Sequence, residues 1–361
     1  MGIDFGPERW DKVRETYRQW WAGELGRPII PIELVGRDPG RPEPGTPVLS
    51  QATCADFSWS AEAIVDRLDY ELSRCVFLGD AFPYVNLSSF GPGIMSAFLG
   101  ARVDNSTGWV WFRAPNEAPI ADIHFGYDEG NVWLKRIKDI CAAAMERWQG
   151  QVLVSMPDLG GNLDVLSTFR PGERLLLDLY DCPDEVMRLC WESHDLWHRF
   201  FSEINEVLQP VNPGYSDWSS IYSDKPSYIL QCDFSYMISP EMFAQFVRPE
   251  LAATCHRLAR TVYHLDGPGQ LPHLEQLCAM ADLDGIQWVP GAGVPGCAHW
   301  PEVYRQIHAA GKKTQIWDGF DAIDAVASQT GDARWIHHRV FARPLSDEVE
   351  VRRRLAQYGI E

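Results

Sequence analysis

No C-x-x-C pair occurs in this sequence, and its nine cysteines are odd in number and scattered from Cys54 to Cys297. That pattern argues against a disulfide framework and against a structural zinc knuckle. No stretch reaches the about 18 consecutive apolar residues of a membrane span. The start, Met1 to Gly6, has no basic region ahead of an apolar run, so no secretion signal is expected. No G-x-G-x-x-G follows an early strand, which argues against a dinucleotide-binding sheet. Positive charge is scarce: 32 Lys and Arg stand against 50 Asp and Glu, a formal charge of −18. Such a surface repels polyanions, so nucleic acid is not an expected partner. The expectation is a reduced, cytoplasmic enzyme acting on a small molecule.

What is present is enough for a large core: 361 residues, 45% hydrophobic, with 15 tryptophans. Most of those indoles belong in the core, and some can line a pocket for a flat or apolar ligand. Trp10, Val13, Tyr17, Trp20 and Trp21 recur at helical spacing over 7–25. A strand over Arg27–Leu34 and a Pro/Gly-rich loop over 36–54 follow. Further strands are predicted at Val76–Pro83, Gly108–Arg113, Val152–Asp158, Gly214–Trp218, Tyr228–Asp233, Thr261–Asp266, Gly285–Val289, Lys313–Asp318 and Arg334–Val340. Helices are expected between them, at 60–75, 128–149, 162–181, 183–208, 240–260, 271–280, 300–310, 321–328 and 346–358. Alternating strands and long helices imply parallel pairing through crossovers. About eight such units fit the length, so the expected fold is α/β, a (β/α)₈ TIM barrel with an N-terminal helical extension. It forms one domain over 1–361, with residues 1–60 as the helix-and-loop extension.

A barrel carries its chemistry at the C-terminal ends of its strands. The candidates there are Asp80, Asp158, Trp218, Cys232, Asp233, His264, Asp266, Gln287, Trp288, Trp317, Asp318, His337 and His338. The most informative stretch is Thr261-Val262-Tyr263-His264-Leu265-Asp266-Gly267-Pro268-Gly269. Strand alternation points His264 and Asp266 to one side, and Gly-Pro-Gly then forces a turn. An imidazole beside a carboxylate can bind a metal, share a proton, or merely close a loop through a hydrogen bond. Asp80 can bind substrate or act as a general acid or base. Asp158, Trp218, Cys232, Gln287, Trp288 and Trp317 are the expected substrate contacts. Only one of His337 and His338 can share the face of His264, and His338 is the preferred third ligand. His194 and His198, four apart on a helix without H-E-x-x-H, read as a solvated face.

Four places resemble the uroporphyrinogen decarboxylase superfamily, which includes decarboxylases and cobalamin-dependent methyltransferases. They are Phe77-Leu78-Gly79-Asp80-Ala81-Phe82-Pro83 with Gly91-Pro92-Gly93; Asp233 with Ile238-Ser239-Pro240-Glu241-Met242-Phe243; Tyr263-His264-Leu265-Asp266-Gly267, similar to the methyltransferases' His-x-Cys-Gly; and Asp284-Gly285-Ile286-Gln287-Trp288. Together they span about 76 to 340. The resemblance implies a barrel, a zinc-like divalent metal, and methyl transfer from a small methylated compound by way of a corrinoid on a carrier protein. It also suggests a homodimer.

The sequence departs from that family in two ways. The arginine-rich N-terminal stretch that holds the tetrapyrrole is reduced to Glu33-Leu34-Val35-Gly36-Arg37, so uroporphyrinogen is not the expected substrate. Asp266 stands where the methyltransferases have a first Cys ligand, and His337-His338 lies where a second would be. A metal on His264, Asp266 and His338 is harder than one on thiolates and favours an oxygen substrate over a thiol. The expectation is therefore a corrinoid-linked methyltransferase with catalytic His264, Asp266 and Asp80. The alternatives are a lyase or decarboxylase using His264–Asp266 as an acid/base pair, and a non-catalytic corrinoid-binding barrel.

Overall fold

A computed structural model describes residues 2–360. Its strands are β1 (Pro31–Val35), β2 (Cys75–Gly79), β3 (Tyr84–Val85), β4 (Arg102–Asp104), β5 (Trp111–Arg113), β6 (Leu153–Val154), β7 (Ser227–Gln231), β8 (Arg260–Asp266), β9 (Gly285–Val289), β10 (Lys313–Trp317), β11 (Ile336–Arg339) and β12 (Arg343–Pro344). The fold is mixed α/β, and its centre is a five-stranded parallel sheet in the order β11-β10-β9-β8-β7. Helices at Pro240–Met242 and Arg248–Arg257, Leu274–Cys278, Pro301–Ala309 and Phe320–Thr330 carry the chain from each of these strands to the next. Among the described residues no helix is long and apolar enough to cross a membrane.

The two faces of this sheet differ in character. One carries Leu230, Tyr263, Leu265, Ile286, Trp288, Ile316 and Ile336, all buried. The other carries a row set by the strand register: Gln231 opposite His264, His264 opposite Gln287, Gln287 opposite Gln315, and Gln315 opposite His337. The row is buried throughout, from 9% exposure at His264 to none at Gln287, Gln315 and His337. Buried amides and imidazoles are costly unless they bond one another, so this face demands partners.

The first part of the chain departs from the all-parallel expectation. β2 runs antiparallel to β1, with Val35 opposite Cys75 and Pro31 opposite Gly79. After β1 the chain passes through the long loop and the helix Ala61–Ser73, and returns to the same end of the sheet. There Gly36 and Arg37 both donate backbone N–H groups to Arg74 O, at 3.1 and 3.0 Å. β1 joins the main sheet through a parallel bridge from Ile29 to His337 and pairs in parallel with β12. β3 and β6 form a separate parallel pair, and β4 and β5 an antiparallel hairpin.

The N-terminal helix Pro7–Ala22 opens with proline in its first turn and closes on Gly23 in the left-handed conformation, as such ends favour. Its apolar face buries Trp10, Val13, Tyr17 and Trp20. Tyr17 and Trp20 pack against His337 at ring distances of 5.9 and 6.0 Å. The expected helix over 162–181 is broken into Asn162–Phe169 and Arg174–Asp181, because Pro171-Gly172 cannot continue it. The helix Pro183–Leu208 is not solvated at His194 and His198, contrary to expectation. Both are buried; His198 Nε2 lies 3.2 Å from Thr254 Oγ1, and His194 Nδ1 is 3.8 Å from Glu250 Oε2. The four-residue spacing gave the two histidines a common face, but docking of the helix Arg248–Arg257 decided that this face is internal.

Candidate metal centre

Asp233, His264 and Asp266 each offer one ligand atom, and these atoms lie within 4.8 Å of one another. His264 and Asp266 sit on β8 two residues apart, so the pleat turns both to one face; His264 Nε2 is 3.9 Å from Asp266 Oδ2. Strand β8 ends at Asp266 and is followed by Gly267, whose φ of +77° no side chain-bearing residue adopts readily. The turn is tied to β9 by Gly267 N donating to Val289 O at 2.8 Å. Asp233 begins the 3₁₀ turn after β7. Asp164 fixes that turn by accepting from Asp233 N at 3.0 Å and Phe234 N at 2.7 Å.

The electrostatics are those of crowded acids in a partly dry site. Burial, and then the Asp266 charge, push the pKa of Asp233 up. Burial and Asp233 do the same to Asp164. His264 is pushed down by burial, against the opposing pull of Asp266. The Asp233 side chain is open to a cavity yet ringed by protein, which explains its exposure and its raised pKa together. That cavity is about 1230 Å³, and its lining includes Asp164, Asp233 and Gln231 together with Trp109, Trp111 and Phe112 of the β4–β5 hairpin.

A divalent cation 2.0–2.4 Å from each donor spans donor pairs up to about 4.8 Å apart, so the triad fits one. The donor set of one imidazole and two carboxylates is hard, and three protein ligands leave coordination positions open. Such an ion acts as a Lewis acid toward a carbonyl or hydroxyl oxygen.

The remaining expected residues separate clearly. His338 is not a ligand: it faces the opposite side of β11 from His337, bonds Asp318 O through Nε2 at 3.1 Å, and packs against Phe320. Strand parity excludes it, and Asp233 takes its place in the cluster. Asp80 is engaged elsewhere, receiving both guanidinium nitrogens of Arg27 at 2.8 Å and Ile30 N at 2.9 Å. It borders a different hollow, beside Arg9 and Thr16, because antiparallel β2 ends beside the start of β1. Asp158 is buried, accepts from Gly160 N at 2.9 Å and Gly93 N at 3.3 Å, and has its pKa pushed up to about 7 by burial.

Trp218 stands edge-on to His264 with ring centres 4.9 Å apart, and Trp317 lies 5.9 Å beyond it. The Trp317 ring carries the Arg339 guanidinium at 5.4 Å. Trp218 flanks the imidazole, and Trp317 packs behind Trp218. Trp288 does neither: it is fully buried on the other face, against Trp300 at 5.1 Å. Cys232 is a buried thiol whose pKa burial drives far up, so it is inert packing. Gln287 touches His264 rather than a cavity, with Oε1 against Nδ1.

Of the residues gathered here, Asp233 was a strand-end candidate from sequence without a ligand role, and Asp164 was not a candidate. Asp233 had a legible signal: an acid just past β7, as Asp266 ends β8. Asp164 had none beyond being an acid in the first turn of a helix. No family model and no curated protein matches the chain.

Proposed function

We propose that this chain is a metal-assisted enzyme in which Asp233, His264 and Asp266 hold a divalent cation, zinc being the ion the sequence resemblance suggests. Its substrate would be a small oxygen-bearing molecule entering by the cavity that Asp233 borders. The scaffold we infer is a closed (β/α)₈-type barrel of the uroporphyrinogen decarboxylase kind. Its support is the five parallel strands and the continuation through Ile29 to β1. The observation that carries the reading is three ligand atoms within 4.8 Å of one another, two of them on one strand end, with one of the three residues open to a large cavity.

Within the reactions of that superfamily, the donor set favours oxygen chemistry, a lyase or decarboxylase type of step, over methylation of a thiol. No thiolate joins the cluster, and carboxylates leave the ion more electrophilic. Trp218, backed by Trp317, would exclude water from one flank of the imidazole. Corrinoid-linked methyl transfer, a carrier protein and a homodimer rest on the sequence resemblance alone.

The test is metal analysis of protein purified without chelator. About one divalent ion per chain is expected, lost in His264→Ala and in Asp233→Asn. Stoichiometric metal retained in both variants would remove this site. Metal-free wild-type protein that gains no ion on titration would leave only a metal-free acid/base pair or a non-catalytic barrel.

A further inference from the structure

From His264 to His337 the buried row on the polar face of the sheet is joined by side-chain hydrogen bonds, and one backbone group sets their direction. The Ser219 carbonyl can only accept. Gln315 Nε2 lies 2.8 Å from it and 3.0 Å from His337 Nδ1. The amide nitrogen of Gln315 therefore gives one proton to each, and its oxygen is left to accept. That oxygen takes a proton from Gln287 Nε2, which turns Gln287 Oε1 toward His264 Nδ1. An amide oxygen cannot donate, so the ring proton of His264 sits on Nδ1 and its lone pair on Nε2. Nε2 is the atom facing Asp266.

The same logic runs the other way. His337 accepts at Nδ1, so it carries its proton on Nε2 and donates to Tyr17 OH at 3.1 Å. Reversing both amides would press the Gln315 oxygen against the Ser219 carbonyl, two buried acceptors with no proton between them. The row is buried, and Trp218, with ring centres 4.9 Å apart, packs edge-to-face with the His264 ring.

We propose that Gln287 and Gln315 are positioning residues that lock His264 in its Nδ1–H tautomer and present Nε2 as a ready donor toward a cation. The link to a cation rests on the metal-centre reading; the tautomer does not. A ligand histidine needs its second nitrogen held in this way, and loss of such a partner weakens metal binding.

The test is ring ¹⁵N–¹H correlation spectroscopy on chelator-treated full-length protein, with the His264 signal assigned by its loss in His264→Gln. Wild type should show the proton of His264 on Nδ1 and that of His337 on Nε2. Gln287→Met should release His264 to a tautomer mixture and weaken Co²⁺ binding about 10–100-fold. Gln287→Glu should hold the Nδ1–H tautomer, since a carboxyl in either protonation state accepts from it, and keep affinity within about threefold. A role in packing alone gives the opposite order, with Met tolerated and Glu not. Gln315→Met, one bond further along, is a second variant with the same expected release. A wild-type proton on Nε2 of His264, or an unchanged Nδ1–H tautomer in both Met variants, overturns the proposal. Wild-type protein that binds no Co²⁺ defeats the cation reading and leaves the tautomer result standing.

Discussion

His264 and Gln287 stand directly opposite each other on neighbouring parallel strands, and their side chains meet Nδ1 to Oε1. A slip of one residue between β8 and β9 would set Trp288 or Ile286 against the imidazole and send the amide to the helix-facing side. The candidate site therefore depends on sheet register as much as on the residues that would bind a ligand. The apolar side chains of both strands fix that register from the other face.

His338→Asn is expected to leave metal content unchanged, because His338 points away from the cluster and bonds Asp318 O. Loss of that bond and of the contact with Phe320 should cost about 1–3 kcal/mol. Urea unfolding together with metal analysis checks both parts. Metal lost from a variant that remains folded would return His338 to the ligand set.

Asp80→Asn should act on stability and spare the metal. It leaves the Arg27 guanidinium without the carboxylate that now receives both its nitrogens, although Asn can still accept from Ile30 N. Breaking one side of a largely buried pair costs about 3 kcal/mol. A variant as stable as wild type by urea unfolding, yet unable to bind a divalent ion, would place Asp80 in the site after all.

Asp158 gives a pH signature of definite sign. Its folded pKa is raised to about 7 by burial, far above its ordinary value near 3.9. Between about pH 4 and 7 the folded chain keeps a proton that the unfolded chain releases, so this residue's contribution falls as pH rises through that window. Asp158→Asn has no proton to lose. Its stability relative to wild type should rise by a few kcal/mol from pH 4 to pH 7 and level off above. Unfolding curves at several pH values check this, and a constant difference would contradict it.

Gly161→Ala tests how tightly the turn beside Asp164 is set. An added Cβ would collide with the Gln231 carbonyl at the end of β7 and lie 2.6 Å from Asp164 Oδ2. The turn that holds Asp164 against Asp233 N must then shift. A stability loss of about 1–3 kcal/mol is expected, with weaker metal binding because Asp233 loses its anchor. Wild-type behaviour in both measurements would mean the turn is free to move.

Much of the second half of the chain was legible as sequence. The strand at Gly285–Val289 and the helix near 300–310 appear as Gly285–Val289 and Pro301–Ala309, because apolar runs there are short and bounded by glycine and proline. The pairing of His264 with Asp266 followed from alternation alone. The antiparallel β2 was not legible, since an acid after an apolar run looks the same whichever way its strand runs. The choice between His337 and His338 was open for a similar reason: parity limits the face to one of them and does not say which.

By itself, then, the sequence determined the five strands of the main sheet, β7 to β11, and that His264 and Asp266 share a face; the expected strand at Gly214–Trp218 did not form. The strands and the shared face are local properties, set by side-chain period and turn chemistry. The tertiary structure alone decided that Asp233 completes the cluster, that Asp80 is tied to Arg27, and that a carbonyl at Ser219 dictates where a proton sits on His264. Each of these depends on segments distant in the chain brought within hydrogen-bond reach, which only the packed sheet and its register supply.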